Sequence, residues 1–274
     1  MLTERHGMSN RNSQEAGEAQ HRNHDAYFVP GLHRGLRVLE AVAEGRRPLS
    51  ITEIASALGL TRSAVFRLVY TLRHMGFLEE SRQKLFTLGP RVLNIGFAFL
   101  ASKDIIEIAR PELEALRDET QVSAHLAIRD HRDVLYLSCV QTRSGFLSNM
   151  NVGARVPAHV SPMGWLLLSD LPAAALAELH RGANLVPWTE KTPDSVKALA
   201  QVARRAGKYD FVISRGVMEG GGSSVCAPVR DRRGKVVAAI DVSGPDSAFD
   251  LDALETRYLD AVRRAAGRIS ERIG

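Results

Sequence analysis

Residues 62–70 carry cationic, hydroxyl and aromatic side chains at a spacing that would place them on one face of a helix. Arginine and serine can reach phosphates and base edges of DNA, and an aromatic ring can contact the methyl group of thymine. The opposite face is apolar, as packing on a core requires. This pattern predicts a helix that enters the major groove, although a plain two-helix packing unit with a solvated polar face has the same pattern. The side chains predicted to contact DNA in this helix are Arg62, Ser63, Phe66, Arg67 and Tyr70.

A helix-turn-helix over residues 51–70 would hold this face in place. Ser50 followed three residues later by Glu53 is a capping box, which begins the first helix. Gly59 can end that helix because glycine readily adopts the left-handed conformation. Thr61 is placed to cap the second helix.

The residues before this motif predict another helix, over residues 33–44. Its apolar positions are spaced for one buried face. The side chains expected to point inward are Leu36, Leu39, Val42 and Ala43.

Two short strands around a charged turn follow the motif, at residues 77–80 and 85–88. Strands in that position are typical of a winged helix, so we predict a winged helix-turn-helix domain over residues 29–89. Arg82 and Lys84 at the tip of the wing are placed to contact phosphates or a minor groove. A solvated turn without a partner is the alternative for these two residues.

The composition is that of a globular protein of two domains, with 274 residues, 45% hydrophobic and 24% charged. The net charge is +5, and residues 29–90 hold nine Arg and Lys against five acidic residues, which is compatible with binding to nucleic acid. Two distant cysteines, Cys139 and Cys226, fit a reducing cytoplasm. No apolar stretch of 18 residues predicts a membrane span. Residues 1–28 are polar without apolar periodicity, which predicts a disordered tail.

Residues 90–103 are apolar nearly all round, so a helix there must be buried. We predict a linker helix that dimerises with a second copy of itself. Packing against its own C-terminal domain is the alternative.

Residues 104–274 predict an effector-binding α+β domain with a mainly antiparallel sheet flanked by helices. Strands are expected at residues 122–130, 133–141, 146–152, 209–214, 224–231 and 235–243, and helices at 104–120, 161–170, 172–181, 194–207 and 250–272.

A ligand pocket is predicted around residues 156–164. Ser161 as N-cap and Pro162 as first helical residue would leave backbone N–H groups that bind carboxylates well, and His159 adds a donor. Asp241 lies in an apolar strand, where an unpaired carboxylate is costly. It should pair with a ligand, a histidine or an arginine, or else with His159 or His125 inside the core.

The sequence offers no arrangement typical of catalysis or metal binding. It contains no G-x-S-x-G nucleophile elbow and no Cys/His set with zinc spacing. We therefore predict no catalytic residue, no metal and no cofactor.

Several stretches together resemble the IclR family of bacterial transcriptional regulators, over about residues 35–273. They are GLRVLEAV, LSITEIASALGLTRSAVFRLVYTLRHMGFLEE, FTLGPRVLNIG, HLAIRDHRDVLYL, VGARVPAHVSPMGWLLLSDLP, VCAPVRD-x-x-G-x-VVAAI and VSGP. The resemblance implies an N-terminal winged helix, a linker helix and a C-terminal effector domain of GAF-like shape. It also implies effector contacts at Pro162, Met163, Ser224, Asp241 and Ser243. With the pocket residues above, the predicted effector site comprises His159, Ser161, Pro162, Met163, Gly164, Ser224, Asp241 and Ser243.

These observations predict a transcriptional regulator, not an enzyme, that binds an operator in double-stranded DNA. A small metabolite, an organic acid of hydroxylated or aromatic type, would set its affinity, and the protein would act as a homodimer or homotetramer in the cytoplasm. Two alternatives stay open. One is an enzyme or small-molecule carrier with an attached helix-turn-helix, and the other is an interaction module whose winged helix binds protein.

Overall fold

The computed structural model describes residues 27–45, 47–142 and 150–273. Residues 1–26 of the predicted tail and 146–149 of the predicted strand lie outside the described residues, and residues 150–152 form no strand. The chain folds as two compact units that divide between Phe99 and Leu100. We call them the N-terminal unit and the C-terminal unit.

The N-terminal unit is a winged helix-turn-helix, as predicted. Its elements are α1 Pro30–Glu44, α2 Ile51–Leu58, α3 Arg62–His74, β1 Leu78–Glu80 and β2 Phe86–Leu88, followed by α4 Arg91–Ala101, which crosses into the next unit. The two strands pair antiparallel. Buried side chains from all three helices and both strands form one core, which includes Val38, Val42, Ile54, Val65, Val69, Leu78 and Phe86.

The inward face predicted for α1 is wrong at two positions. Leu36 is 52% exposed and Ala43 is also exposed, whereas Val38 is fully buried. The helix is therefore rotated so that Val38 and Val42, four residues apart, point at the core.

The linker helix α4 has no buried residue. Its large apolar side chains, Leu93, Ile95, Phe97 and Phe99, are between 42% and 60% exposed. Their burial therefore requires a surface outside this helix.

The C-terminal unit is a six-stranded antiparallel sheet between two layers of helices, which confirms the predicted α+β class. Its elements are α5 Asp104–Thr120, β3 Ala124–Asp130, β4 Asp133–Val140, β5 Arg155–Pro157, α6 Pro162–Leu168, α7 Ala173–Leu179, α8 Val196–Tyr209, β6 Val212–Arg215, β7 Gly222–Arg230, β8 Val236–Pro245 and α9 Leu259–Ile273. The strand order is β5-β4-β3-β8-β7-β6.

Alternation along β8 separates two cores, one on each face of the sheet. Ala238, Ile240 and Val242 pack with α5 and α9. Ala239 packs with α6, α7 and α8. Asp241 shares the face of Ala239, so its carboxylate lies on the side of the sheet that is covered by α6.

Most element boundaries of the C-terminal unit lie within about two residues of the predictions, and three further differences are larger. The short strand β5 was not predicted, and the strand expected from residue 209 begins at Val212 because α8 continues to Tyr209. The long helix expected from residue 250 begins with 3-10 and π turns and is α-helical only from Leu259. None of the described helices is both long and apolar enough to cross a membrane.

Candidate nucleic-acid interface and ligand cavity

The start of α2 is held by the predicted capping box. The Ser50 N–H donates to Glu53 Oε2 at 2.8 Å, and the Glu53 N–H donates to Ser50 Oγ at 3.3 Å. Arg47 donates to the same carboxylate at 2.7 Å. The hydrogen bond from the Ser50 backbone and that from Arg47 lower the pKa of Glu53 to about 2. Gly59 ends the helix at φ 65°, which turns the chain toward α3.

Helix α3 presents its predicted DNA-contacting face to solvent. Thr61 accepts a hydrogen bond from the Ala64 N–H at 3.3 Å and caps the helix, while Val65 and Val69 anchor it in the core. The outer face is fully formed without any partner. Its five exposed residues are Arg62, Ser63, Phe66, Arg67 and Tyr70.

The arginines of the N-terminal unit fall into two groups. Arg47 and Arg73 are paired with Glu53 and Glu80, respectively. Within the described part of the chain, Arg62 and Arg67 form no ion pair, so no acid of the protein has to be displaced before they bind an anion. An unpaired cation on an exposed helix face is what phosphate binding requires.

The wing tip carries Arg82 and Lys84, both exposed. The turn is closed by the Lys84 N–H, which donates to the Ser81 carbonyl at 3.0 Å, and Lys84 adopts φ 57°. The two cations therefore lie on an ordered turn whose backbone is fixed by its own hydrogen bonds.

A cavity of about 170 Å³ opens on the sheet of the C-terminal unit. Its polar wall is mostly hydroxyl groups, and its other wall is apolar and aromatic. One carboxylic acid lines it within the described residues. The polar residues are Ser123, Thr142, Ser214, Ser223, Ser224, Ser243 and Glu219, and the larger apolar ones are Tyr136, Met150, Trp188, Val217 and Met218.

Hydrogen bonds within the protein order several of these hydroxyls. Ser214 Oγ and Ser224 Oγ lie 2.9 Å apart. Ser223 Oγ donates to Asp246 Oδ1 at 2.6 Å, and this bond, together with Arg215, lowers the pKa of Asp246. The cavity floor is therefore preorganised, which reduces the entropy lost when a polar ligand binds.

Asp241 is paired with His125 beneath this floor. The two residues face each other across β3 and β8, with His125 Nδ1 2.7 Å from Asp241 Oδ1, and they are 0% and 3% exposed. Of the two alternatives considered for Asp241, the described contacts are those of a core pair. Ser243 Oγ lies 3.3 Å from the same nitrogen. An ionised carboxylate can only accept a hydrogen bond, so with Asp241 ionised the proton lies on Nδ1 and the hydroxyl hydrogen of Ser243 is free to donate elsewhere.

Two of the eight predicted effector residues, Ser224 and Ser243, line the cavity. The other six do not line it, and three of them, Pro162, Met163 and Gly164, belong to α6, whose residues are all buried. Ser161 Oγ accepts from the Gly164 N–H at 3.3 Å, so the helix start already uses a donor that a ligand would need. His159 Nε2 bonds the Val186 carbonyl at 3.0 Å.

The close packing of α6 explains why residue 164 is a glycine. A Cβ at this position would lie 2.3 Å from the carbonyl oxygen of Ala158. Glycine therefore lets α6 approach the preceding loop.

Cavity residues that the sequence analysis missed include Ser123, Tyr136, Trp188 and Glu219. Ser123 lies two residues before His125, so the alternation expected along the predicted strand 122–130 could have found it. Trp188 and Glu219 come from loops, whose positions depend on the whole fold.

The thiols near the cavity are not activated. Burial, and secondly the charge of Asp241, raises the pKa of Cys139 to about 12 and that of Cys226 well above its ordinary value. Both cysteines are therefore protonated at neutral pH. The described residues contain no group of three His, Cys, Asp or Glu side chains that could hold a metal ion.

Comparison with known proteins identifies both units. The family model for the C-terminal part of bacterial transcriptional regulators of the IclR type matches residues 97–271, and the IclR helix-turn-helix model matches residues 31–82.

Relatives match over nearly the whole chain. The Pca regulon regulatory protein of Pseudomonas putida is 31% identical over 246 residues, with 88% of this chain and 83% of the relative covered. The transcriptional repressor IclR of Escherichia coli K12 is 28% identical, with 88% and 89% covered. A crystal structure of an IclR homologue from Microbacterium hydrocarbonoxydans, complexed with 4-hydroxybenzoate, is 23% identical, has a TM-score of 0.74 and shares the fold over 89% of this chain and 98% of the other. One family model alone spans more than half of the sequence, and this chain belongs to the IclR family of bacterial transcriptional regulators.

Proposed function

We propose that this regulator binds an operator in double-stranded DNA through the outer face of α3 and the tip of the wing. The observation that carries the proposal is the pair Arg62 and Arg67. Both are exposed and, within the described residues, both lack an acidic partner, although other arginines of the same unit have one. Ser63 can add a hydroxyl contact and Arg82 and Lys84 backbone contacts from the wing. The DNA-binding part would span residues 29–89.

We infer that operator affinity is set by a small acid bound in the C-terminal unit, over residues 104–274. Ser243 lines the cavity, and its hydroxyl hydrogen is available to an oxygen acceptor on a ligand when the Nδ1–H of His125 donates to Asp241. Tyr136 and Trp188 add aromatic surface. We infer that the acid is a hydroxylated or aromatic compound whose carboxylate lies at the hydroxyl wall, away from Glu219. The similar structure from Microbacterium hydrocarbonoxydans holds an acid of this type, 4-hydroxybenzoate.

We further propose that residues 90–103 join two copies of the chain. Four large apolar side chains of α4 are at least 42% exposed, and a second copy of the same helix would bury them. A homodimer, or a homotetramer built from two such dimers, would place two α3 helices for the two halves of an operator. Effector binding would then shift the population of dimers whose geometry fits the DNA. The protein would do this in the cytoplasm.

An enzyme with an attached helix-turn-helix is not favoured by the cavity. The Nδ1 nitrogen nearest to Ser243 carries the proton that it donates to Asp241, so it cannot accept the hydroxyl proton of Ser243 as a general base would. The two thiols are held protonated by burial. No nucleophile in the described part of the cavity is therefore activated.

The proposal is tested by selecting bound fragments from a genomic library with the full-length protein at low salt. A panel of hydroxylated and aromatic acids, with their neutral amides as matched controls, is then screened by thermal shift and by release or tightening of the bound fragment. Binding to no duplex of any sequence would overturn the DNA-binding proposal. Stabilisation by the amides or by cationic compounds alone would overturn the acid effector.

A further inference from the structure

The outer face of α3 carries an exposed aromatic pair, Phe66 and Tyr70, and the guanidinium carbon of Arg73 lies 6.0 Å from the centre of the Tyr70 ring. Phe66 and Tyr70 are each 57% exposed, although they lie beside the fully buried Val65 and the nearly buried Val69. Their ring centroids are 6.5 Å apart with an angle of 29° between the planes, so the two rings form one continuous apolar surface. A separation of four residues in a helix produces this adjacency.

This surface lies between groups suited to DNA. Arg62 and Ser63 precede Phe66 in the first turn of the helix, and Arg67 follows it directly. The arginines are free of ion pairs within the described residues, so the charge of this face is complementary to a duplex. Exposed aromatic side chains surrounded by unpaired cations are therefore expected to enter the groove together with those cations.

The chemistry of a phenylalanine ring restricts what it can recognise there. The ring has no hydrogen-bond donor or acceptor, so it cannot distinguish the polar edges of the bases by pairing with them. The one apolar group that a base presents in the major groove is the C5 methyl of thymine. A ring that is positioned by a capped, rigid helix can read that methyl group by contact.

We propose that Phe66, supported by the stacked ring of Tyr70, selects thymine in each half of the operator through the thymine methyl group. This inference rests on the proposed function, because it requires α3 to lie in the major groove. It adds a specificity determinant that differs from the arginine contacts, since it depends on a methyl group and not on charge.

The test uses the full-length protein and the duplex recovered by the genomic selection. Each thymine is replaced in turn by deoxyuridine, symmetrically in both half-sites, which removes the methyl group and leaves every hydrogen-bonding edge unchanged. Replacement at one or two adjacent positions should weaken binding by about fourfold for each methyl group removed, the factor expected for burial of one methyl-sized group.

A double-mutant cycle assigns the effect to the ring. Phe66→Ala should weaken binding to the thymine duplex and should lose its sensitivity to deoxyuridine at that position. Met75→Ala is the matched control, because Met75 is 45% exposed at the end of the same helix and lies on the opposite face. It should bind like the unchanged protein and keep the deoxyuridine effect.

Two results would overturn the inference while leaving the proposed function intact. One is binding that is insensitive to deoxyuridine at every position. The other is a Phe66→Ala protein that remains as sensitive as the original, which would place the ring against the sugar–phosphate backbone. Failure to bind the thymine duplex at all would overturn both proposals.

Discussion

Replacing Arg67 by alanine should weaken operator binding and make it less dependent on salt. Arg67 is exposed, has no acidic partner among the described residues and is not needed to build the helix. Its backbone carbonyl accepts a hydrogen bond from Thr71 Oγ1 at 2.9 Å, and the substitution keeps that bond. Arg37→Ala is the matched control, because Arg37 is an exposed arginine of the same unit but is paired with Glu40.

The size of the effect depends on which part of the duplex the guanidinium touches. A phosphate contact contributes about 0.9 to the slope of log K against log salt, so a dimer that loses two such contacts should lose about 1.8 from the slope. Loss of a base contact would instead weaken the binding free energy by roughly 1–3 kcal/mol at each position and would change the salt slope less. The affinity and its dependence on salt, measured together, therefore distinguish a phosphate contact from a base contact.

Fluorescence anisotropy with a labelled operator duplex, repeated between about 50 and 200 mM KCl, gives both quantities. The reasoning would be refuted if Arg67→Ala gave the same dissociation constant and the same slope as the unchanged protein. It would also be refuted if Arg37→Ala impaired binding equally, because the loss would then reflect the total charge of the N-terminal unit and not an unpaired side chain.

Three further predictions concern the stability of the two units. Gly164→Ala should lower the free energy of unfolding of the C-terminal unit by about 1–3 kcal/mol, since the added Cβ meets the backbone of Ala158. The measurement is unfolding in urea, and an unchanged urea midpoint would contradict this prediction. The pKa of Glu53 is about 2 in the folded protein against 4.5 ordinarily, so its stabilising effect is complete above pH 4.5 and is lost as the pH falls toward 2. Glu53→Gln should therefore destabilise the N-terminal unit at pH 7 and flatten its acid unfolding, measured by circular dichroism. Asp241→Ala should lower the free energy of unfolding of the C-terminal unit by about 3–5 kcal/mol, because the His125 N–H loses its buried acceptor. An equal loss of stability in Asp241→Ala and Asp241→Asn would argue against that cause.

The helix-turn-helix could be predicted because its signals are local. Ser50, Glu53, Gly59 and Thr61 act on backbone groups within three residues of themselves, and the structure uses each as expected. The rotation of α1 could not be predicted in the same way. Its apolar residues are numerous enough to define two overlapping faces, and only packing against the other two helices selects the face of Val38.

The cavity depends on contacts between residues that are distant in sequence. Alternation along a strand assigns Ser243 and Asp241 to one face, but it does not tell which strand lies beside them. The pairing of β8 with β3 decides that Asp241 meets His125 and not His159. His159 is turned away because its own carbonyl accepts the Trp165 indole N–H at 2.9 Å while its ring bonds the loop at Val186.

The buried pair of His125 and Asp241 also constrains how this protein can change during evolution. Each residue is tolerated in the sheet because the other is present, so losing either one first passes through a form with an unmatched polar group in the core. Descendants are therefore expected to keep both residues or to exchange both. The two positions should vary together among orthologues, while the serines around them are free to drift one at a time as the ligand changes.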